Sequence, residues 1–116
     1  MTVSLLNASE DVNRARANIF SALSDPTRLR IFQTIVEADD RLNGTAICDR
    51  TGLAANLVSH HLQCLTNCTL VAAERDGRKK FYRVARPEAI GLLELADECI
   101  RQDIESVLGC EIVRDE

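Results

Sequence analysis

Gly44-Thr45-Ala46-Ile47-Cys48-Asp49-Arg50-Thr51-Gly52-Leu53-Ala54-Ala55-Asn56-Leu57-Val58-Ser59-His60-His61-Leu62-Gln63-Cys64-Leu65-Thr66-Asn67 is the stretch on which the fold turns. A short helix is expected over about Gly44 to Thr51, stopped by Gly52, which adopts positive φ at little cost. A second helix follows over about Ala55 to Asn67. In it Val58, Leu62 and Leu65 recur at i, i+4 and i+7, while Asn56, Ser59, His60 and Gln63 fall largely elsewhere. Two short helices joined by a glycine-containing turn make a helix-turn-helix pattern.

Working outward, Leu70 to Glu74 and Lys79 to Val84 alternate as strands, and Asp76-Gly77 between them signals a hairpin, because both residues tolerate positive φ. A hairpin directly after the second helix is a wing. Upstream, a helix is expected over Glu10 to Leu23, with Val12, Ala15, Ile19, Ala22 and Leu23 at helical spacing. Ser24-Asp25-Pro26 breaks the chain. Asp25 is placed to cap the next helix, with Pro26 at its first position, where no amide donor is needed. That helix carries Leu29, Ile31, Phe32, Ile35 and Val36, holds Arg28 and Arg30 on its more polar side, and ends at Asp39-Asp40. A loop over Arg41 to Asn43 follows. The last helix is expected from near Pro87 to Leu108, with Ile90, Leu93, Ala96, Ile100, Ile104, Val107 and Leu108 available for packing, and 109–116 form a tail.

The chain of 116 residues is therefore read as one domain, mainly α with a small β-hairpin: a winged helix-turn-helix. Apolar first and last helices exceed what so small a core can bury, which points to a homodimer built on 10–23 and 87–108. No apolar run approaches the roughly 20 residues that span a bilayer. Met1 to Asn7 shows neither a basic start nor a long apolar run, so a cytoplasmic protein without membrane contact is expected.

The net charge of −4 argues against indiscriminate nucleic-acid binding, but the distribution is uneven. Between Arg75 and Arg86 stand Arg75, Arg78, Lys79, Lys80, Arg83 and Arg86 against the single acid Asp76; from Glu94 onward acids dominate. A basic patch backed by an acidic flank orients a protein toward phosphate. The plainer reading of the basic run alone is a solvated hairpin. On the second helix, Asn56, Ser59, His60 and Gln63 are candidates for DNA contact, and Gln63 has the geometry to pair bidentately with adenine. Arg78, Lys79 and Lys80 at the wing tip would neutralise phosphate or enter a minor groove. A two-fold dimer would read a pseudo-palindromic operator in double-stranded DNA. For His60 and His61 the plainer reading is surface or packing, with packing favoured for His61.

Five cysteines (Cys48, Cys64, Cys68, Cys99, Cys110) without an export signal argue against a disulfide framework and for metal or redox chemistry. Cys48 and Cys99 are equally readable as buried small hydrophobes. Cys64 and Cys68 lie one helical turn apart, with Cβ atoms roughly 5–6 Å from each other, so both thiols share a face.

The stretch Ala22-Leu23-Ser24-Asp25-Pro26-Thr27-Arg28-Leu29-Arg30-Ile31 resembles the opening signature of the ArsR/SmtB family of metal-responsive repressors. Val58-Ser59-His60-His61-Leu62 with Leu65 resembles that family's recognition helix, and Gly77-Arg78 with Phe81-Tyr82 resembles its wing. The resemblance spans about Asn18 to Leu95. It implies a transcriptional repressor, not an enzyme, with a metal ion as effector and no organic cofactor.

Family sensing sites differ in place. A Cys-x-Cys pair in the helix before the recognition helix would fall at Asn43 and Thr45, so that site is absent. Sites built from Asp and His pairs on the last helix are missing too, since no histidine follows His61. The cadmium- and lead-sensing CmtR-like branch is closer: it takes two thiolates from a Cys-x3-Cys pair at the end of the recognition helix and a third from the partner's C-terminal cysteine. Cys64 and Cys68 match the pair, and Cys110 matches the tail cysteine, with Cys99 as runner-up. The resemblance thus implies a metal site of Cys64, Cys68 and Cys110. Thiolate-only sites favour soft ions, so cadmium or lead is the expected effector, with arsenite an alternative. A second alternative keeps the repressor but makes the effector an oxidant that joins Cys64 to Cys68. A thiol enzyme is disfavoured, because a Cys-x-x-Cys motif is lacking and the histidines lie on the expected DNA face.

Overall fold

The computed structural model describes residues 8–111. The chain divides into two compact units, one ending at Arg86 and one beginning at Pro87. Met1 to Asn7 and tail residues 112–116 lie outside the described residues.

The first unit opens with α1 (Ala8–Ala22) and α2 (Pro26–Glu37). Asp25 caps α2 as its sequence position implies: its Oδ2 accepts the Arg28 amide at 2.8 Å, and Pro26 occupies the first turn. A two-residue strand, β1 (Leu42–Asn43), leads into α3 (Gly44–Thr51). The Asn43 side chain accepts the Ala46 amide and caps α3. Gly52, at φ 74°, closes that helix and donates its amide to the Cys48 carbonyl. Then come α4 (Ala55–Asn67) and the hairpin of β2 (Val71–Asp76) and β3 (Lys79–Val84).

The core is aliphatic around one aromatic ring. Phe32 and Ile31 of α2, Ile47 of α3, Val58, Leu62 and Leu65 of α4, and Val71 of β2 are fully buried. The three α4 positions are the ones its spacing selected, so this helix is seated by one face and presents the other. At roughly 25 cal/mol per Å² of apolar surface, burial of each such side chain stabilises the unit by about 1.5–3 kcal/mol. The expected apolar face of α1 is only partly used: Ala22 is buried, Ile19 and Leu23 half-buried, Val12 and Ala15 exposed.

Three local features depart from the sequence reading. The loop expected at Arg41 to Asn43 contains β1, which pairs antiparallel with β3 through Leu42–Tyr82 and Asn43–Phe81. The sheet therefore has three strands in the order β1-β3-β2. The hairpin turn is Gly77-Arg78, because Asp76 still pairs with Lys79. Gly77 alone has positive φ, at 65°, and glycine at the first central position is the pattern of a type II′ turn. In the second unit the single long helix expected over 87–108 is two, α5 (Pro87–Gln102) and α6 (Ile104–Gly109). Asp103 divides them. Its carboxylate accepts from the Ser106 amide and hydroxyl, and a capping side chain competes with continued helix.

The end of α4 carries local strain. The Leu70 amide reaches the Leu65 carbonyl and the Thr69 amide the Thr66 carbonyl, the paired bonds of a Schellman stop. That stop needs a left-handed residue, and Thr69 supplies it at φ 62° although its side chain is β-branched. The left-handed conformation costs a non-glycine residue about 1–2 kcal/mol, of which glycine's greater unfolded-state freedom would return about 0.5–1. Thr69→Gly should therefore stabilise the protein by roughly 0.5–1 kcal/mol in urea denaturation. A destabilised variant would show that the Thr69 side chain supports the turn.

Candidate nucleic-acid interface and thiol site

One face of α4 is packed and the other is open. Asn56, Ser59, His60 and Gln63 are all exposed, whereas Val58, His61, Leu62 and Leu65 are buried. The wing-tip residues Arg78, Lys79 and Lys80 are exposed as well. Between α3, α4 and the wing runs an open cleft of about 580 Å³, to which Thr45, Cys48, Ser59, Lys79, Lys80 and Tyr82 contribute. Lys80 and Ser59 therefore border the same groove, and Lys80 Nζ stands 5.8 Å from the centre of the Tyr82 ring. Ser59 and Gln63 of α4 thus meet Lys79 and Lys80 of the wing around this groove, whereas Asn56, His60 and Arg78 are exposed but do not line it.

His61 does not belong to it. It is 8% exposed and its Nδ1 lies 3.3 Å from Arg28 Nη1, which is always a donor. That contact places the ring proton on Nε2, which faces Asp25 Oδ2 at 3.9 Å. Arg28 also donates through Nε to the Ala22 carbonyl at 2.6 Å and through Nη2 to the Ser21 carbonyl at 3.1 Å. Arg28 thus closes the C-terminus of α1 while holding the buried histidine of α4. Sequence reasoning assigned Arg28 only to a polar face. Asp25 and Arg28 are close in sequence, but His61 lies 33 residues beyond Arg28, and only the fold brings the three together.

Cys64 and Cys68 stand at the C-terminal end of the same helix, half-buried. Cys68 is the C-cap residue, and its amide bonds to the Cys64 carbonyl. Its Sγ donates to the Asn18 carbonyl of α1 over 3.9 Å. Burial foremost, and then the neighbouring Cys64 thiol, push the Cys68 thiol above its ordinary pKa, with Arg28 acting weakly in the opposite direction. Two sulfurs on one turn are a soft, incomplete donor set. Among the described residues, no three His, Cys, Asp or Glu side chains of one chain converge on a common point. The pair fits a thiophilic ion, provided that further donors come from outside this group. Cys48 lines the interhelical cleft, while Cys99 on α5 and Cys110 after α6 are exposed.

No family model matches the chain. Individual proteins do. A probable mercury resistance operon repressor of Streptomyces lividans is 38% identical over 94 residues, 81% of this chain and 73% of that protein. An uncharacterized HTH-type transcriptional regulator of Mycobacterium tuberculosis is 35% identical over 88 residues, 76% of each. The HTH-type transcriptional regulator CmtR of Mycobacterium bovis is 38% identical over 71 residues, 61% of this chain and 58% of its own length. Among solved structures, the homodimeric winged helix-turn-helix DNA-binding domain of a possible ArsR-family regulator from M. bovis superposes with a TM-score of 0.77. It is 24% identical, with 91% of this chain and 95% of that one covered. The chain belongs to the HTH-type transcriptional regulators with an ArsR-like winged-helix fold, and is a DNA-binding regulator rather than an enzyme. No helix among the described residues is long and apolar enough to cross a membrane.

The raised pKa of Cys68 has a measurable sign. A smaller thiolate fraction at any given pH slows alkylation, since the thiolate is the nucleophile. Followed by peptide mass spectrometry, iodoacetamide labelling of Cys68 should rise about tenfold per pH unit and continue past the pH where an ordinary thiol levels off. A plateau at or below that pH contradicts the assignment.

Proposed function

We propose that the protein is a homodimeric repressor that holds operator DNA without metal and releases it when a thiophilic ion binds Cys64 and Cys68 of one subunit and Cys110 of the other. The observation that carries this reading is the position of the two thiols. They occupy the last turn of the helix whose exposed face presents Asn56, Ser59, His60 and Gln63. A ligand drawn to that turn acts on the DNA-reading element directly.

Dimerisation is supported by apolar side chains left exposed in both units: Phe20 at 62% on α1, and Leu95, Ile104, Val107 and Leu108 on α5 and α6. The homodimeric relative of the same fold agrees with it. In this reading Ser59, His60 and Gln63 address base edges and phosphates in the major groove, with Asn56 beside them. Arg78, Lys79 and Lys80 neutralise backbone phosphates.

Cys64 and Cys68 supply two thiolates, and the partner subunit's Cys110 a third; Cys99 is the second choice. Three sulfurs suit cadmium or lead, with arsenite as the alternative of the same chemistry. The names of two relatives, a mercury resistance operon repressor and CmtR, support a soft-metal effector and add mercury to the ions worth testing. Closing the thiolates on one ion ties the base of the recognition helix to the other subunit, which favours a dimer geometry whose two helices no longer fit successive grooves. The oxidant alternative is weakened by burial, which raises the Cys68 thiol and lowers its reactivity.

The test is affinity for a duplex selected by the metal-free protein from a random-sequence pool, measured with cadmium, lead, mercury and arsenite in turn. A coupling of about 1–3 kcal/mol, or 5- to 150-fold weaker binding with at least one ion, is expected. Cys110→Ser should blunt the response while leaving metal-free binding intact. Equal affinities with and without every ion would sink the model.

A further inference from the structure

The wing carries two carboxylates beside the cations offered to DNA. Glu74 and Asp76 lie on β2, and the register sets Asp76 directly opposite Lys79 and Glu74 opposite Phe81. Opposite charges on paired residues attract one another, so Asp76 is positioned to capture Lys79 at the wing tip. In the structure it does not. Asp76 Oδ2 takes Arg41 Nη2 at 2.5 Å, and Glu74 Oε1 takes Arg41 Nη1 at 3.4 Å, with Arg83 Nε at 3.8 Å from the same oxygen. Among the described residues, none of Arg78, Lys79 and Lys80 is paired with a carboxylate.

Arg41 reaches these partners across the sheet. It immediately precedes β1, the strand on the far side of β3 from β2. Strands are about 4.8 Å apart, so the side chain bridges roughly two strand spacings. The path runs over Phe81 of β3, whose ring centre lies 4.1 Å beneath the Arg41 guanidinium carbon. Stacking fixes the plane of the fork, and the fork is satisfied by two carboxylates. The guanidinium thereby links all three strands.

We propose that Arg41 is a positioning residue for DNA binding: by engaging Asp76 and Glu74 and stacking on Phe81, it holds the wing in place and leaves Lys79 free for phosphate. This inference rests on the reading that the wing contacts DNA. Arg41 acts here through the hairpin, not through a contact of its own with the nucleic acid.

The experiment is a mutant cycle read by DNA affinity over a range of salt, using full-length protein and a duplex selected by the wild type from a random-sequence pool. Arg41→Met keeps an apolar arm over Phe81 but removes the fork. It should weaken binding about tenfold and flatten the salt dependence by about one ion, as expected when one phosphate contact is lost. In a Glu74→Gln/Asp76→Asn background, where no carboxylate competes for Lys79, the same substitution should cost less than about twofold. Far-UV circular dichroism checks that each variant is folded. Unchanged affinity in Arg41→Met overturns the proposal, and so does an equal loss in both backgrounds, which would make Arg41 an independent DNA contact. A Lys79→Gln/Lys80→Gln protein tests the underlying reading separately. If it binds as the wild type does, wing contact fails; if it weakens while Arg41→Met does not, only the role of Arg41 fails.

Discussion

The three-way grip of Arg28 organises the DNA-binding unit. Its guanidinium donates to the Ser21 and Ala22 carbonyls, two groups that a helix end leaves without intrahelical partners, and it lies against Nδ1 of the buried His61. A cation at the C-terminus of α1 also complements the helix dipole. On the other side of the ring stands Asp25, the residue that caps α2. An imidazole taken out of water needs such partners, because an unpartnered buried polar group costs several kcal/mol by transfer estimates. The end of one helix, the start of the next and the middle of α4 are therefore held at one place. With His61 turned inward beside Leu62 and Leu65, Ser59, His60 and Gln63 are turned outward.

The opposite end of α4 concentrates three duties in a few residues. Cys64 and Cys68 stand there, the Schellman stop turns the chain, and Leu70 and Val71 enter the core as the wing begins. The thiol of Cys68 touches the Asn18 carbonyl, so α1 also meets this turn. An event at the two sulfurs is thus one residue from a strained threonine and three from the first wing strand. No long relay is required for it to affect the recognition helix and the wing together. Regulatory coupling of a few kcal/mol is of the same order as the local strain and packing at this turn.

The wing depends on a different kind of balance. Its cations are useful to a DNA-binding protein only while they are not consumed by neighbouring acids, and the hairpin register places acids and bases opposite each other. Arg41 resolves that conflict from outside the hairpin, at the residue before a strand of two residues. The chemistry of the exposed surface is consequently set in part by a side chain from outside the hairpin.

Local chemistry was legible in the sequence. Asp25-Pro26 announces a helix start because a carboxylate accepts an orphan amide and proline needs none; Gly52 announces a stop because positive φ is free to it. The period of Val58, Leu62 and Leu65 identified the buried side of α4, and so also the side left exposed. The spacing of Cys64 and Cys68 placed both thiols on one turn. Each of these signals is carried by neighbours within a few residues, where backbone geometry alone sets who meets whom. What required the tertiary structure was every feature made by distant partners. Leu42 and Asn43 form a strand only because β3 is there to pair with them, and Arg41 finds Asp76 only because that pairing brings β1 beside the hairpin. Arg28 meets His61 across 33 residues of sequence, and no periodicity reports such a contact. The helix break at Asp103 was missed for a related reason: apolar spacing continues across it, while the capping bonds to Ser106 decide the backbone. Amphipathic pattern and turn chemistry thus determined most of the elements and their buried faces, and the pairing of groups far apart in the chain decided which polar residues serve the fold and which remain exposed.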